Sequence, residues 1–194
     1  MGPGPDVFHH LIAIDLSAFD SHPRIVESPA AAEQAPYVKL LWHDEHATQA
    51  FAQALAQLAP LQQAFIALHG NLGAGKTTLV RHLLQALGVT GRIKSPTYAV
   101  VEPYELPQLA IWHFDFYRFG DPREWEDAGF RDIFASPGLK LAEWPEKAAP
   151  MLPTPDWDLH LHTRPDESRQ VRIFAHTALG QALLQGLKLA EVPS

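Results

Sequence analysis

Three glycines, a lysine and a threonine lie close together in the middle of this chain, at a spacing that suits phosphate binding. Gly70, Gly73 and Gly75 precede Lys76 and Thr77 in the pattern G-x-x-x-x-G-K-[ST]. Glycines let the backbone curl tightly, so that consecutive N–H groups converge on phosphate oxygens. The lysine supplies a cation, and the threonine hydroxyl is a ligand for Mg²⁺. The pattern therefore predicts binding of a nucleoside triphosphate with Mg²⁺.

The segments on either side of the loop have the patterns that such a loop requires. A short apolar run, 64–68, precedes the loop and is typical of a buried strand, while apolar residues at helical spacing follow it until Gly88, a suitable residue just past a helix end. Those helical positions are Leu79, Val80, Leu83, Leu84 and Leu87. The predicted nucleotide-binding positions of the loop itself are Gly70, Asn71, Leu72, Gly73, Ala74, Gly75, Lys76, Thr77 and Thr78.

Two acidic residues stand where predicted strands end. Asp115 follows the apolar run 109–114, and Glu143 follows the run 138–142. In an open α/β sheet the ligand lies at the carboxyl ends of the strands, so both acids become candidates for orienting a metal ion and an attacking water. The alternative is that each acid merely ends a strand and faces solvent. Two such acids beside a phosphate loop favour the functional interpretation.

Two further residues are candidates for the nucleotide site, and each also has a purely structural interpretation. Thr97 lies in the loop downstream of the phosphate-loop helix, where many nucleotide hydrolases respond to the γ-phosphate. A simple loop threonine would look the same. Trp144 follows Glu143 and could stack on a base or lie at a partner surface, although a tryptophan beside a strand end is often core.

The chain has eleven histidines, which raises the question of a metal site. His160 and His162 share one face of a predicted strand, and His43 and His46 could approach each other around a helix start. Neither pair has an evident third ligand, and the chain has no cysteine to complete a zinc site. We therefore expect solvated or packed histidines.

Composition restricts the classes of protein to consider. The 194 residues fit one α/β domain, and a net charge of −7 argues against strong non-specific binding to a polyanion. Without cysteine, disulfides and thiol nucleophiles are excluded. No apolar run reaches membrane-spanning length, and no basic residue precedes Arg24 to form a signal peptide, so the expected compartment is the cytoplasm.

The rest of the chain divides at about Tyr37. Residues 1–36, rich in Gly, Pro and small residues, are predicted to form a flexible or loosely docked extension, and 37–194 the domain. A strand is predicted over 37–42, followed by a helix that Asp44 caps and Pro60 terminates, with Ala47, Phe51, Leu55 and Leu58 on one face.

Further elements follow the phosphate-loop helix. Strands over 98–103 and 109–114 form a hairpin around the turn 105–108, and Asp121, Pro122 and Glu124 mark a helix start. Alternating residues predict an antiparallel pair over 157–162 and 170–173 with one wet face. A final helix spans 178–189, with Leu179, Leu183, Leu184 and Leu187 on its buried side, although Gly180 and Gly186 weaken that prediction.

The identity of the nucleotide is suggested by a missing motif. Asn71 is the only asparagine in the chain, so the Asn-Lys-x-Asp motif by which many small GTPases recognise guanine is absent. ATP is therefore favoured.

Taken together, these segments resemble the TsaE (YjeE) family, the ATPase component of bacterial tRNA threonylcarbamoyladenosine synthesis. The resemblance runs from about Tyr37 to His176, and Asn71 stands where the family usually has Asp. The matching segments are the loop 70–78, Lys94-Ser95-Pro96-Thr97-Tyr98, His113-Phe114-Asp115-Phe116-Tyr117-Arg118 and Glu143-Trp144-Pro145.

The resemblance implies an α/β P-loop NTPase-like domain in three layers with a mixed, partly antiparallel sheet. It also implies Mg²⁺-dependent ATP hydrolysis in complex with TsaD and TsaB partners, with tRNA met only through them and hydrolysis resetting the complex. Carried onto this chain, Lys76 would hold phosphate, Thr77 with Glu143 and Asp115 would organise the metal and water, and Thr97 would belong to a nucleotide-responsive loop. Trp144 would lie near the nucleotide or the partner.

Two other functions remain open at this point. A small-molecule kinase would need an acceptor pocket and a lid with arginines, for which the candidates are Arg118, Arg123 and Arg131. Their spacing does not suggest a lid helix. A nucleotide-gated binding module without turnover is the third hypothesis, and the presence of both strand-end acids counts against it.

Overall fold

The structure, a computed structural model, describes residues 37–120, 123, 125 and 128–190. The extension predicted over 1–36 and the helix start predicted at Asp121, Pro122 and Glu124 lie outside the described residues. None of the described helices is both long and apolar enough to cross a membrane.

The described residues form one seven-stranded sheet flanked by helices. The strands are β1 (Tyr37–Trp42), β2 (Phe65–His69), β3 (Val101–Leu106), β4 (Leu109–Asp115), β5 (Leu139–Glu143), β6 (Trp157–Thr163) and β7 (Arg169–Ala175). The helices are α1 (Glu45–Ala56), α2 (Lys76–Ala86), α3 (Phe130–Ala135) and α4 (Ala178–Ala190), with 3-10 turns at Ala59–Gln63 and Pro145–Lys147.

The strand order is β1-β7-β6-β2-β5-β4-β3, and the sheet is mixed. The central strands β6, β2, β5 and β4 run parallel to one another, whereas β1, β7 and β3 pair antiparallel with their neighbours. The predicted hairpin and the predicted late antiparallel pair are both present. The mixed, partly antiparallel sheet that the family resemblance implied is confirmed.

Two apolar cores hold helical segments against opposite faces of this sheet. Helices α1, α2 and α4 cover one face, where Phe51, Leu83 and Leu183 are buried with strand residues such as Leu159. On the other face, α3 and the segment after β5 pack against a cluster of aromatic residues. Its buried members include Phe65, Phe114, Phe116, Trp125 and Phe130. The result is a three-layer α/β domain.

The ends of the first two helices follow local rules that the sequence carries. Asp44 caps α1, its carboxylate accepting the Ala47 N–H at 2.9 Å. Helix α1 ends at Ala56, so Leu58 lies beyond it, and Pro60 falls in the 3-10 turn. Helix α2 closes as a Schellman motif, in which Val89 N donates to Leu84 O at 2.9 Å around a left-handed Gly88.

One predicted strand starts in the wrong place. The sequence pattern began the hairpin at Tyr98, but β3 begins at Val101. The backbone turns first, because Val100 has a positive φ of 65° and its N–H donates to Pro96 O at 2.7 Å. Tyr98 is consequently 85% exposed. The hairpin turn is also shorter than predicted, with only two residues between β3 and β4.

The two glycines of α4 have packing reasons that outweigh their low helix propensity. A side chain at Gly180 would collide with the carbonyl group of Asp156, and one at Gly186 would meet the Leu58 side chain at 2.9 Å. The Gly180 carbonyl also accepts a hydrogen bond from Trp157 Nε1 at 2.7 Å. Close approach to backbone just before β6 therefore requires glycine at position 180, and glycine at position 186 leaves room for the Leu58 side chain.

Candidate functional site

The loop between β2 and α2 curls at glycines that no other residue could replace without strain. Gly70 has φ of +140°, and a Cβ there would lie 2.5 Å from the Leu161 carbonyl oxygen on β6. Gly75 has φ of +104° and forms the N-cap of α2. From β7, Arg169 Nε donates to Ala74 O at 3.2 Å and fastens the loop to the sheet. The curl is thus held from two sides.

The start of α2 presents backbone donors into the space that the loop encloses. No side chain caps this helix, and its first intrahelical hydrogen bond runs from Leu79 N to Gly75 O at 2.9 Å. The N–H groups of Lys76, Thr77 and Thr78 precede that bond and carry the positive end of the helix dipole. This is the donor set that phosphate oxygens require, so the loop fits a polyphosphate.

The Lys76 side chain folds back across the loop. Its Nζ donates to Gly70 O at 2.5 Å and to Asn71 O at 3.0 Å, and lies 3.9 Å from the centre of the Trp144 ring. Burial lowers the pKa of the Lys76 ammonium, while the charges of Glu143, Glu146 and Asp115 act in the opposite direction. The loop thus holds its one lysine among carbonyl oxygens, an aromatic face and carboxylates.

The two strand-end acids are neighbours in the sheet. Asp115 at the end of β4 is the register partner of Glu143 at the end of β5, and both side chains are nearly completely buried. They lie on the face that α2 covers, because Leu141 and Ile111, two and four positions earlier on the two strands, belong to the core under that helix. The alternative that they face solvent is wrong.

Glu143 connects the start of α2 to the interior of β4. Both carboxylate oxygens lie 2.9 Å from the Thr77 hydroxyl, which donates to them. Glu143 Oε1 also lies 2.9 Å from Nε2 of His113, a fully buried residue. A buried carboxylate held by a hydroxyl and an imidazole has a fixed orientation toward the loop.

Asp115 binds the loop that precedes β3 through hydrogen bonds. One of its carboxylate oxygens accepts hydrogen bonds from Ser95 Oγ and from Thr97 Oγ1, the latter at 2.8 Å. The two hydroxyls are themselves 2.8 Å apart. The other oxygen accepts the N–H of Tyr117 at 3.0 Å. Thr97 is therefore not an isolated loop threonine, since it is bonded to an acid of the site.

These side chains surround one hollow of about 300 Å³. The hollow is lined by Leu72, Gly73, Ala74, Gly75, Lys76, Thr77, Thr78, Ser95, Thr97, Asp115, Tyr117, Glu143 and Trp144. Of the residues predicted from the sequence, Gly70 and Asn71 do not line it, but their carbonyl groups hold Lys76. Oxygen ligands from a hydroxyl and two carboxylates are the kind that Mg²⁺ prefers, so the arrangement also fits this ion.

Trp144 lies at the edge of the hollow in a left-handed conformation, with φ of 57°. Its ring faces Lys76 and lies 5.0 Å from the ring of Tyr117, and it also packs against the aromatic core. The two interpretations of Trp144 are thus not exclusive, because one side of the ring is core and the other belongs to the hollow.

Sequence reasoning did not single out three residues of this network. His113, Ser95 and Tyr117 each contact one of the two acids. The sequence could have indicated His113, because this residue stands two positions before Asp115 in a predicted strand and so lies on the same face. Ser95 and Tyr117 stood inside segments that resembled the family, but nothing in their local pattern indicated a bond to Asp115.

Comparison with known proteins yields one family. The model of the family described as "Threonylcarbamoyl adenosine biosynthesis protein TsaE" matches residues 42–171. Two curated relatives carry the name tRNA threonylcarbamoyladenosine biosynthesis protein TsaE. The one from Haemophilus influenzae is 41% identical over 69% of this chain and 84% of its own. The one from Bacillus subtilis is 33% identical over 57% of this chain and 68% of its own.

A solved structure has the same fold. The crystal structure of Bacillus subtilis YdiB superposes with a TM-score of 0.68, covering 82% of this chain and 99% of that one. The sequences are 23% identical, so this likeness concerns the architecture.

Proposed function

The chain belongs to the TsaE family of threonylcarbamoyl adenosine biosynthesis proteins, and on that basis we propose that it is a Mg²⁺-dependent ATPase acting with TsaD-like and TsaB-like partners in tRNA threonylcarbamoyladenosine modification. The observation that carries the proposal is the meeting of three features at one hollow: a phosphate-loop helix start, a threonine hydroxyl and two buried strand-end carboxylates. Hydrolysis needs all three.

Lys76 and the amides at the start of α2 bind the triphosphate. In this structure the Lys76 ammonium donates to two loop carbonyl groups, and phosphate oxygens are stronger acceptors for the same donors. Lys76 is already buried beside the loop and against Trp144, so its ammonium would exchange carbonyl oxygens for phosphate oxygens.

Thr77 and Glu143 would hold the metal ion, and Asp115 would support them from the next strand. Bound Mg²⁺ neutralises charge that develops on the phosphate oxygens. His113 fixes the Glu143 carboxylate from the buried side, so that the opposite side of that group faces Thr77 and the hollow. Glu143 is the group we assign to orienting the attacking water.

The loop that contains Ser95 and Thr97 is coupled to the site through its hydrogen bonds to Asp115. Both hydroxyls bond to one carboxylate oxygen, so a change in what Asp115 contacts would change the position of this loop. Tyr98, the next residue, is 85% exposed and packs on Arg118, whose guanidinium lies 4.4 Å from its ring. A shift of the loop would therefore move an exposed aromatic side chain.

Exposed apolar groups around the hollow support a role that depends on partners. Leu72, in the phosphate loop, is 79% exposed, and Tyr117 is 42% exposed. Together with Tyr98 they place three large apolar side chains in solvent beside one site, which favours an interaction surface. The acidic balance of the chain agrees with tRNA being bound by the partners.

Phosphate release from ATP, measured with the chain alone and with its TsaD-like and TsaB-like partners, tests the proposal. We expect partner-stimulated release that Lys76→Ala abolishes and that Lys39→Ala, a change at an exposed lysine of β1, leaves intact. Transfer of the γ-phosphate to a small acceptor would instead support a kinase. Tight ATP binding without release under any of these conditions would support a binding module.

A further inference from the structure

A second cluster of ligand-type side chains lies on the sheet face opposite α2. His69 ends β2 and is the register partner of His160 on β6, and Asp158 stands two positions before His160. Because side chains two apart on a strand share a face, all three point to the same side. One ligand atom from each lies within 4.8 Å of the other two. Within the described part of the chain this is the one such group of three.

The donor set suits a divalent transition metal. His69 Nε2 lies 2.7 Å from Asp158 Oδ1, and the rings of His69 and His160 stack at 4.3 Å with an interplanar angle of 7°. Because the lone pair of an imidazole nitrogen lies in the ring plane, one of the two rings must turn out of the stack for both histidines to bind one ion. Two imidazoles with one carboxylate form the ligand set of open zinc sites, in which a water or a ligand takes the remaining position. Imidazole nitrogen favours Zn²⁺ and similar ions over Mg²⁺.

One outer group bonds to a ligand of this cluster, and a second outer group lies near another ligand. The second oxygen of Asp158 lies 2.8 Å from His176 Nε2, and the other nitrogen of His69, Nδ1, lies 3.6 Å from Glu146 Oε2. A carboxylate behind a ligating histidine, and a hydrogen-bonded ligating carboxylate, are the usual supports of a metal site.

The cluster is accessible to an ion. The side chains of His69 and Asp158 are 24% and 25% exposed. Together with Glu146 and His176 they line a hollow of about 420 Å³, which offers room for a further ligand. His160 does not line this hollow but is itself partly exposed.

We propose that His69, Asp158 and His160 form a binding site for one divalent transition-metal ion of the Zn²⁺ type. The sequence pattern paired His160 with His162, but His162 is exposed at the end of β6 and outside the group of three. The bound ion would join β2 to β6 at the residue before Gly70. It would lie on the sheet face opposite α2.

Co²⁺ binding to the metal-stripped full chain, without nucleotide, tests this site. Co²⁺ held by nitrogen ligands in a four-coordinate site absorbs visible light far more strongly than the hydrated ion. We expect this absorption to saturate at one ion, to be displaced by Zn²⁺ and to be lost in His160→Gln. His162→Gln, the matched change on the same face of the same strand, should keep it, as should Thr77→Val in the phosphate loop.

A variant in the outer shell separates a metal site from a hydrogen-bonded histidine cluster. His176→Gln should weaken Co²⁺ binding by about 10- to 100-fold without abolishing it. Zn²⁺ should raise the melting temperature of the wild type and of His162→Gln, but not that of His160→Gln. Equal Co²⁺ spectra and equal Zn²⁺ shifts in the wild type and His160→Gln would overturn the proposal, because the ion would then lie elsewhere among the eleven histidines.

Discussion

Thr77 and Glu143 are 66 positions apart in the chain, yet the Thr77 hydroxyl lies 2.9 Å from each oxygen of the Glu143 carboxylate. This contact joins the first turn of α2 to the end of β5. The two elements are close because α2 follows β2 in the chain and β2 lies beside β5 in the sheet. A hydroxyl that faces both oxygens of a buried acid holds that acid in one orientation. The proposed hydrolytic site depends on this pair.

Replacing Glu143 by Gln should slow hydrolysis while leaving ATP binding nearly unchanged. The amide keeps the shape of the side chain but removes the negative charge that we propose orients the metal and the water, so we expect a loss on the order of 10²-fold or more in the rate of phosphate release. Calorimetry with ATP and Mg²⁺ would measure binding. The control is Glu105→Gln, at an exposed carboxylate on β3. Unchanged turnover in Glu143→Gln would remove Glu143 from the mechanism.

Thr97→Val should destabilise the protein, and Thr97→Ser should not. Valine removes one of the two hydroxyl donors to a carboxylate oxygen of the buried residue Asp115, and a hydrogen bond to a charged group contributes about 1.5–3 kcal/mol. We expect a loss toward the lower end of this range, because Ser95 still donates to the same oxygen. Serine retains the donor. Urea unfolding of both variants measures the difference. If the two variants were equally stable, the hydrogen bond to Asp115 would contribute nothing.

Trp144→Phe should remove most of the change in tryptophan fluorescence that ATP produces. Trp144 is the tryptophan that lines the hollow, and its ring lies over Lys76. Phenylalanine keeps an aromatic face, so binding measured by calorimetry should weaken by less than about 10-fold. Trp112→Phe, at a tryptophan that packs against the same aromatic core but does not line the hollow, should keep the signal. A full signal in Trp144→Phe would mean that ATP does not reach this ring.

The pH dependence of stability should reveal the buried charge of Lys76. Its pKa in the folded protein is lowered from 10.5, chiefly by burial. Below that lowered pKa the ammonium is charged in both the folded and the unfolded protein, so burying the charge lowers the free energy of unfolding by its full amount. As pH rises from that value toward 10.5, the folded protein loses the proton first and the cost disappears.

The free energy of unfolding of the nucleotide-free wild type should therefore rise relative to that of Lys76→Met over this window. Urea unfolding at several pH values measures the difference. Lys39→Met, which removes an exposed lysine, should show no such trend against the wild type. Parallel profiles for Lys76→Met and the wild type would show that the burial of Lys76 has no cost.

Tyr98→Ala should reduce stimulation by the partners without changing the affinity for ATP. Tyr98 does not line the hollow, but it follows Thr97 and is exposed to 85%. Phosphate release measured against partner concentration would show a higher half-saturating concentration. Tyr37→Ala, at an aromatic residue on the opposite edge strand that is 39% exposed, is the control. An equal effect of both variants would argue against a partner surface at Tyr98.

Local chemistry explains why much of the site was predictable. Three features each depend on the conformations of a few consecutive residues: the curl at Gly70 and Gly75, the Asp44 cap and the Schellman motif at Gly88. The types of those residues are therefore enough to predict them. The strand-end position of Asp115 and Glu143 could be predicted from runs of apolar residues for the same reason.

Predictions failed where a distant part of the chain decided the outcome. The strand predicted from Tyr98 begins three residues later because the loop bonds to Asp115 and turns at Val100. Helix propensity disfavours both glycines of α4, but close approach to the Asp156 backbone requires Gly180, and Gly186 leaves room for Leu58. His160 was paired with its neighbour two positions along, whereas its partner is His69 on another strand.

By itself, the sequence determined the phosphate loop, the acids that end two strands and the family, since each is encoded in short stretches whose chemistry acts locally. Only the tertiary structure decided that Asp115 and Glu143 meet, that His113 lies behind Glu143, and that His69 meets Asp158 and His160. The physical reason is register. Packing of the two apolar faces of the sheet fixes which residues of distant strands become neighbours, and no local pattern contains that information.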